Sequence, residues 1–312
     1  MRGLIEVSAS GFSGNYLSCN GTQNIWISKA DIFLSLLTVG TRGTRDFLSL
    51  PRHVLNARRG RAIFARNFIT VENGLWIIHN EYRAQDRSEK VVLSYWLGIS
   101  FAKIVASRLL GTSWLAHVDA LIADNVLVPS NIGRERPDLA GHDRQNNWHI
   151  VEAKGRSVFI EPNLMQSAKN QAMMIDRAQG SVPQTRSGCI VKLFSSPIQV
   201  EIDDPEGNQS KTSWEINMVR FYDKYYSTII HFIQNNERSL IEVNNLAYLT
   251  TEISLFGQRI KIGLLNDLFM EPASIVEMTE RLDSIVDYSK ESPPNISIGR
   301  DGTYLEVITD YD

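Results

Sequence analysis

Cysteine is scarce in this sequence, and the two that occur, Cys19 and Cys189, are far apart. Neither belongs to a Cys-x-x-Cys pair or to the Cys/His spacing that is typical of zinc ligands. The sequence therefore predicts neither a disulfide framework nor a structural zinc site.

Long apolar segments and nucleotide-binding loops are also lacking. The longest apolar run near the N-terminus, residues 32–39, is too short to cross a bilayer, and no secretory leader pattern precedes it. The sequence has no P-loop, no Gly-rich dinucleotide motif, no repeat and no low-complexity tract. We therefore expect a cytoplasmic protein without a membrane partner and without ATPase activity.

The overall composition is ordinary, but the charge is unevenly distributed. With 312 residues, 43% hydrophobic and 21% charged, the chain suits one elaborated domain or two with a sizeable core. The net charge is only -3, yet residues 41–66 carry an arginine cluster opposed only by Asp46. Within it, Arg58, Arg59 and Arg61 are predicted to contact the phosphate backbone of a nucleic acid. A solvated face, or a site for an acidic partner, is an equal alternative.

Residues 137–154 carry the most informative pattern. Two short strand-favouring runs are joined by a polar turn at 143–147, which predicts a hairpin. Asp138 lies near the start of the first run, and Glu152 and Lys154 lie two residues apart near the end of the second, on one face of a strand. Antiparallel pairing would place Asp138 beside Glu152, and two carboxylates can share a cation such as Mg²⁺.

Lys154 indicates which reaction this pair of acids could support. A lysine beside a metal-binding glutamate can balance charge, but it can also orient a metal-bound water and stabilise negative charge on a phosphate. The group is therefore suited to phosphodiester hydrolysis. The alternative is a surface hairpin with an ordinary Glu–Lys pair.

The arrangement resembles the PD-(D/E)xK nuclease superfamily, which includes many restriction endonucleases, Holliday junction resolvases and recombination exonucleases. Pro137 and Asp138 match the first part of the motif, and Glu152, Ala153 and Lys154 match the second. The resemblance implies Mg²⁺, with Mn²⁺ as a substitute, on Asp138 and Glu152, with Lys154 at the attacking water. It also implies DNA as the partner.

The predicted element order extends the resemblance. A buried helix at 89–110, a strand at 114–122, the hairpin, a helix at 163–179 and a strand at 189–194 give an αβββαβ order. This order is also the core for which the superfamily is known. We therefore expect an α/β (α+β) fold with a restriction endonuclease-like core, a mixed central sheet flanked by helices, at 85–200. A β-rich N-terminal module at 1–84 and a mainly helical extension with a β-hairpin at 201–312 would flank it.

Further site residues are predicted from the two helices. Gln171 lies on the apolar stripe of the second helix, faces the sheet and needs a partner. The superfamily often places a Gln or Lys here to support catalysis, so Gln171 is a candidate; Gln166 and Lys169 lie on other faces. The alternative for Gln171 is an amide that is satisfied by the backbone.

The superfamily often adds an acid from the first helix, and in this sequence three residues are candidates for it. The helix has no acid from Lys90 onward, so Glu89 is the candidate at its start, with Glu81 just before it and Asp119 in the next strand as rivals. His117 lies on the same strand face as Asp119 and is a further auxiliary candidate. The number of metal ions stays open.

Together these patterns predict a metal-dependent deoxyribonuclease in prokaryotic defence or DNA processing, working as a homodimer or as a subunit of a larger complex. The alternative is a nuclease-like fold that binds nucleic acid or acts as a scaffold without cleaving it. In the last third, a long helix is predicted at 213–235, and its aromatic stripe is interpreted as core or interface rather than as a base-stacking surface. A β-ribbon at 252–262, a helix at 273–288 and a turn at Asp301-Gly302 are also predicted.

Overall fold

The protein has a mixed α/β structure in which a mixed sheet is flanked by helices. The computed structural model describes residues 1–39, 52–131, 135–205, 212–255, 258–270 and 293–308. Its helices are α1 (Lys29–Thr38), α2 (Arg52–Asn67), α3 (Asn80–Ala84), α4 (Arg87–Leu110), α5 (Val118–Ala123), α6 (Leu164–Ala172), α7 (Met218–Gln234) and α8 (Asn266–Met270). A 3-10 helix spans Gly14–Cys19.

Seventeen strands are described. They are β1 (Arg2–Ser10), β2 (Gly21–Ser28), β3 (Ile69–Glu72), β4 (Leu75–Ile78), β5 (Trp114–His117), β6 (Leu127–Pro129), β7 (Leu139–His142), β8 (Trp148–Arg156), β9 (Ile175–Ala178), β10 (Thr185–Lys192), β11 (Gln199–Asp203), β12 (Thr212–Ile216), β13 (Arg238–Val243), β14 (Leu246–Leu255), β15 (Gln258–Leu265), β16 (Ile296–Ile298) and β17 (Thr303–Ile308).

The largest sheet has nine strands in the order β3-β4-β1-β11-β10-β8-β7-β5, with β2 paired to β1. The β5, β7 and β8 strands are antiparallel neighbours, and β10 runs parallel to β8. On the other side, β1 pairs with β11 in parallel. Strands from the first 84 residues and from the segment 85–200 therefore share one sheet.

The α4 helix crosses this sheet and confirms the predicted buried helix. Asp86 caps its first turn by accepting hydrogen bonds from the N–H groups of Ser88 and Glu89, and Gly111 ends it in the left-handed conformation. By length and composition α4 is apolar enough to cross a membrane, but 67% of its apolar window is buried inside the protein. Its apolar character is explained by packing against β8 and β10.

Two predicted elements end earlier than their apolar patterns indicated. The helix expected at 163–179 ends at Ala172, and residues 175–178 form β9 instead, since they pair with β12 in a three-stranded sheet. The strand expected at 114–122 ends at His117, which caps α5 by accepting from the N–H of Asp119.

The last third contains more sheet than was predicted. The helix expected at 213–235 begins later than predicted, because Thr212–Ile216 forms β12 and α7 begins only after the Asn217 cap. A five-stranded antiparallel sheet, β13-β14-β15-β17-β16, follows and packs on α1 and α7. The aromatic face of α7 is buried, as expected for core. The helix expected at 273–288 lies outside the described residues.

Candidate active site

The pairing of β7 with β8 brings the two acids of the motif together. Leu139 lies opposite Val151, so Asp138 extends the ladder toward Glu152. The N–H of Asp138 donates to Glu152 Oε2 (2.9 Å), and the N–H of Ala153 donates to Asp138 Oδ2 (3.1 Å). Each carboxylate is thus held by the backbone of the other strand.

Lys154 and Gln171 complete a connected group. Lys154 Nζ donates to Glu152 Oε1 and also to Gln171 Oε1 at 2.8 Å. Gln171 lies in the last turn of α6, and α6 packs on β8 and β10. The amide therefore fixes the position of the lysine, and the partner that Gln171 needs is Lys154.

The two carboxyl groups are costly to ionise where they lie. Burial raises the pKa of Glu152 to about 7, the nearby Asp138 adds to the rise, and Lys154 opposes it. Burial also raises the pKa of Asp138. The hydrogen bond from the N–H of Ala153 and the nearby His117 and Lys154 act in the opposite direction and lower it. Two crowded acids of this kind gain most from a nearby cation, because it favours both ionised forms at once.

His117 and Tyr95 lie next to this group. His117 Nδ1 accepts from the N–H of Asp119 (3.2 Å), so its neutral ring carries the proton on Nε2 and donates to Tyr95 Oη at 2.6 Å. Burial lowers the pKa of His117, although Asp138 and Asp119 oppose this. A neutral imidazole beside Asp138 is the result. Tyr95 is a site neighbour that the sequence analysis missed, because its only signal was a place on the apolar stripe of α4.

The other predicted auxiliary residues lie elsewhere. Asp119 is in the first turn of α5, not in a strand, and is paired with Arg136. Glu89 is exposed and serves the N-terminal cap of α4, where its Oε2 accepts from the N–H of Asp86 (3.4 Å). Neither carboxylate hydrogen-bonds with Asp138 or Glu152.

The arginine cluster is partly described. Its part from Arg52 onward lies in α2, whereas residues 41–51 and the side chains of Arg58 and Arg59 lie outside the described part of the structure. Arg61 is buried, and its guanidinium lies 5.7 Å from the centroid of the Trp96 ring. Arg61 therefore packs between α2 and α4, near Tyr95 and His117. Burial raises the pKa of Tyr95, which the charge of Arg61 opposes, and burial lowers the pKa of His117, to which Arg61 adds.

Glycine lets α4 approach the site strand closely. A Cβ on Gly155 would lie 1.8 Å from Ser94 O, and a Cβ on Gly98 would lie 2.7 Å from the N of Gly155. The helix backbone thus lies directly on the residue that follows Lys154. The isolated Gly98 in an apolar helix was the available signal for this contact.

Asp138 and Lys154 open to a cleft of about 730 Å³ whose wall includes Tyr95, Lys90 and Arg156. The donor set fits Mg²⁺, because carboxylate oxygens are its preferred protein ligands and one or two such groups commonly suffice. Within the described residues, no third His, Cys, Asp or Glu joins them in a metal-binding cluster. The remaining positions around the ion would be filled by water and substrate oxygens.

Comparisons of the chain with protein-family models, with curated proteins and with solved structures found no match. Fold and site geometry are therefore the basis for a functional conclusion.

Proposed function

We propose that this protein is a Mg²⁺-dependent nuclease of the PD-(D/E)xK type that hydrolyses phosphodiester bonds of DNA. The observation that carries the proposal is the convergence of Asp138, Glu152 and Lys154 at one end of the β7–β8 ladder, beside an open cleft. The element order supports it as well: with α5 and β6 inserted after β5 and β9 inserted after α6, the chain runs through a helix (α4), three antiparallel strands (β5, β7, β8), a helix (α6) and a strand parallel to β8 (β10).

Each side chain has a role in this chemistry. Asp138 and Glu152 would hold Mg²⁺, which when bound polarises the scissile phosphate and lowers the pKa of a water molecule. Lys154 Nζ, fixed by Gln171, orients the attacking water and stabilises the negative charge that develops on the phosphate. His117 and Tyr95 hydrogen-bond with each other beside these acids.

The first test is a cleavage assay on plasmid, linear duplex and single-stranded DNA with Mg²⁺, Mn²⁺ or EDTA. We expect metal-dependent cutting by the wild type and a loss of about 10³-fold or more for Asp138→Ala, Glu152→Ala and Lys154→Ala. Lys169→Ala is the matched control, because this lysine of α6 pairs with Asp203 and not with the site. Unchanged cutting by all three site variants would end the assignment.

A binding or scaffolding role is the second candidate, and one observation favours it. Only two acids converge in the described residues, and Glu152 already accepts from both Lys154 and the Asp138 N–H. A protein that binds DNA but cuts no substrate with any metal ion would have this second function.

A further inference from the structure

The active-site cleft continues into a second cavity. The first, of about 730 Å³, and a neighbour of about 370 Å³ share Lys90, Ser157 and Val158 in their walls. The second cavity is lined also by Ile78 and Phe194. One groove therefore runs from Asp138 and Lys154, past the first turns of α4, to the end of β10.

The groove carries a surplus of positive charge. Among the described lining residues the cations are Arg83, Arg87, Lys90, Lys154 and Arg156, and the acids are Asp138 and Glu161. Glu161 lies 3.6 Å from Arg156 at the rim. The side chains of Arg83, Arg87 and Lys90 form no hydrogen bond or ion pair with other described residues. They are available to an anionic ligand.

Apolar side chains are exposed along the same groove. Phe194 is 42% exposed and Val158 59%, and Phe159, next in the chain, is 73% exposed. The N–H of Leu193 donates to Arg156 O (2.8 Å), which holds the Phe194 segment beside Ser157 and Val158. A ligand that carried only negative charge would bind the cations but would not need the exposed Phe194 ring beside them.

A single nucleic-acid strand matches this combination. Its phosphates pair with lysine and arginine, while its unstacked bases offer flat apolar faces to aromatic rings. A duplex keeps its base faces stacked inside and offers mainly phosphates and base edges. An acidic peptide or an anionic membrane surface would also bind the cations. Neither ligand would need to reach the carboxylates of Asp138 and Glu152.

We propose that this groove binds single-stranded DNA, with a base stacked on Phe194 and phosphates on Arg83 and Lys90, and leads the strand to Lys154. This inference rests on the proposed nuclease function, because that function explains why the strand would run toward Lys154. Binding of the strand can nevertheless be measured without cleavage. The substrate would be a single strand or an unpaired end rather than an intact duplex.

The test is fluorescence anisotropy with a labelled oligothymidylate and with a duplex of equal length, both in EDTA so that nothing is cut. We expect the wild type to prefer the single strand. Phe194→Ala should weaken single-strand binding about tenfold, Phe194→Trp should preserve it, and Lys90→Gln should weaken it and reduce its salt dependence. Leu240→Ala removes an even more exposed apolar side chain (64%) on β13, outside the groove, and should change nothing.

The outcomes separate the two proposals. Single-strand binding that depends on Phe194 in a protein that never cuts DNA would support the groove and overturn the nuclease. Metal-dependent cutting with no effect of Phe194→Ala on single-strand binding would support the nuclease and overturn the groove. Tighter binding to duplex, or to polyglutamate or phosphatidylserine vesicles, than to the oligothymidylate would also overturn the groove.

Discussion

At the scale of single residues, we expect the protonation of Glu152 to control the proposed binding of Mg²⁺. Its pKa is raised to about 7, and a ligand carboxylate must be ionised, so protons compete with Mg²⁺ below that pH. We therefore expect Mg²⁺ to raise the melting temperature more at about pH 8 than at about pH 6, measured by differential scanning fluorimetry. Asp138→Asn should lose most of the shift. Equal Mg²⁺ shifts at both pH values would contradict this role of Glu152.

Gln171 acts through Lys154. The change Gln171→Ala removes an acceptor of the lysine and should lower the cleavage rate about 10- to 100-fold, the usual effect of a supporting residue. Since Gln171 is expected to act only by positioning Lys154, kcat should fall while KM stays the same. Gln166→Ala is the control, because Gln166 hydrogen-bonds with Asn170 on an exposed face. A change in KM alone would assign Gln171 to substrate binding.

The geometry of the four central residues was accessible from sequence because it depends on local rules. Two-residue spacing on a strand places Glu152 beside Lys154, and helical spacing turns Gln171 toward the sheet. The positions of Tyr95 and Arg61 were not accessible. They reach the site from α4 and α2 through packing that no local pattern specifies.

At the scale of elements, the contact of α4 with β8 depends on the absence of side chains. Gly155→Ala should lower the free energy of unfolding by about 2 kcal/mol or more and reduce activity, since the new Cβ would overlap Ser94 O. Gly60→Ala is the matched control. A Cβ at Gly60 meets nothing within 4 Å, so helix propensity should raise stability by up to about 1 kcal/mol. Urea denaturation measures both, and an equally stable Gly155→Ala protein would argue against the close contact.

A buried lysine joins three elements away from the site. Lys103 Nζ on α4 donates to Thr38 Oγ1 (2.8 Å) and Tyr225 Oη (2.9 Å), and Tyr225 Oη donates to Asp301. Burial lowers the pKa of Lys103 to about 7, and Asp301 opposes this. Above pH 7 the unfolded state therefore binds more protons at Lys103 than the folded state does. As a result, Lys103 makes the free energy of unfolding rise with pH until the pH reaches the pKa of this lysine in the unfolded chain.

Lys103→Met should remove that dependence. Between about pH 7 and pH 9 the wild type should gain roughly 2 kcal/mol relative to the variant, at about 1.4 kcal/mol per pKa unit. Urea denaturation of both proteins at each pH gives the difference. A constant difference across the window would show that Lys103 is charged in the folded protein.

The two segments that were predicted as helix but form strands share a cause. Residues 175–178 and 212–216 have apolar spacings that suit either a helix or a strand, and their pairing across more than thirty residues decides between the two. Trp214, placed on a helix by periodicity, is buried within β12. Non-local pairing of this kind overrides local preference.

At the scale of the whole molecule, we expect the proposed affinity for DNA to depend on where charge lies rather than on its total. Because Arg61 is buried, the test of the arginine helix α2 is the double change Arg58→Gln with Arg59→Gln. If both side chains contact phosphate, the magnitude of the slope of log K against log salt should fall by about 1.8 for duplex DNA and by about 1.4 for single-stranded DNA. Arg177→Gln, an exposed arginine of β9, is the control. An unchanged slope would assign α2 to another role.

The parallel pairing of β1 with β11 also sets the order of events during synthesis. Glu6 Oε1 accepts from Gln199 Nε2, a contact between residues 193 positions apart. A ribosome must therefore synthesise the chain as far as β11 before the first strand finds this neighbour, and contacts at such separation slow folding. Until then one edge of β1 is unpaired and prone to association. Newly made chains of this protein should thus depend on chaperones for a long interval.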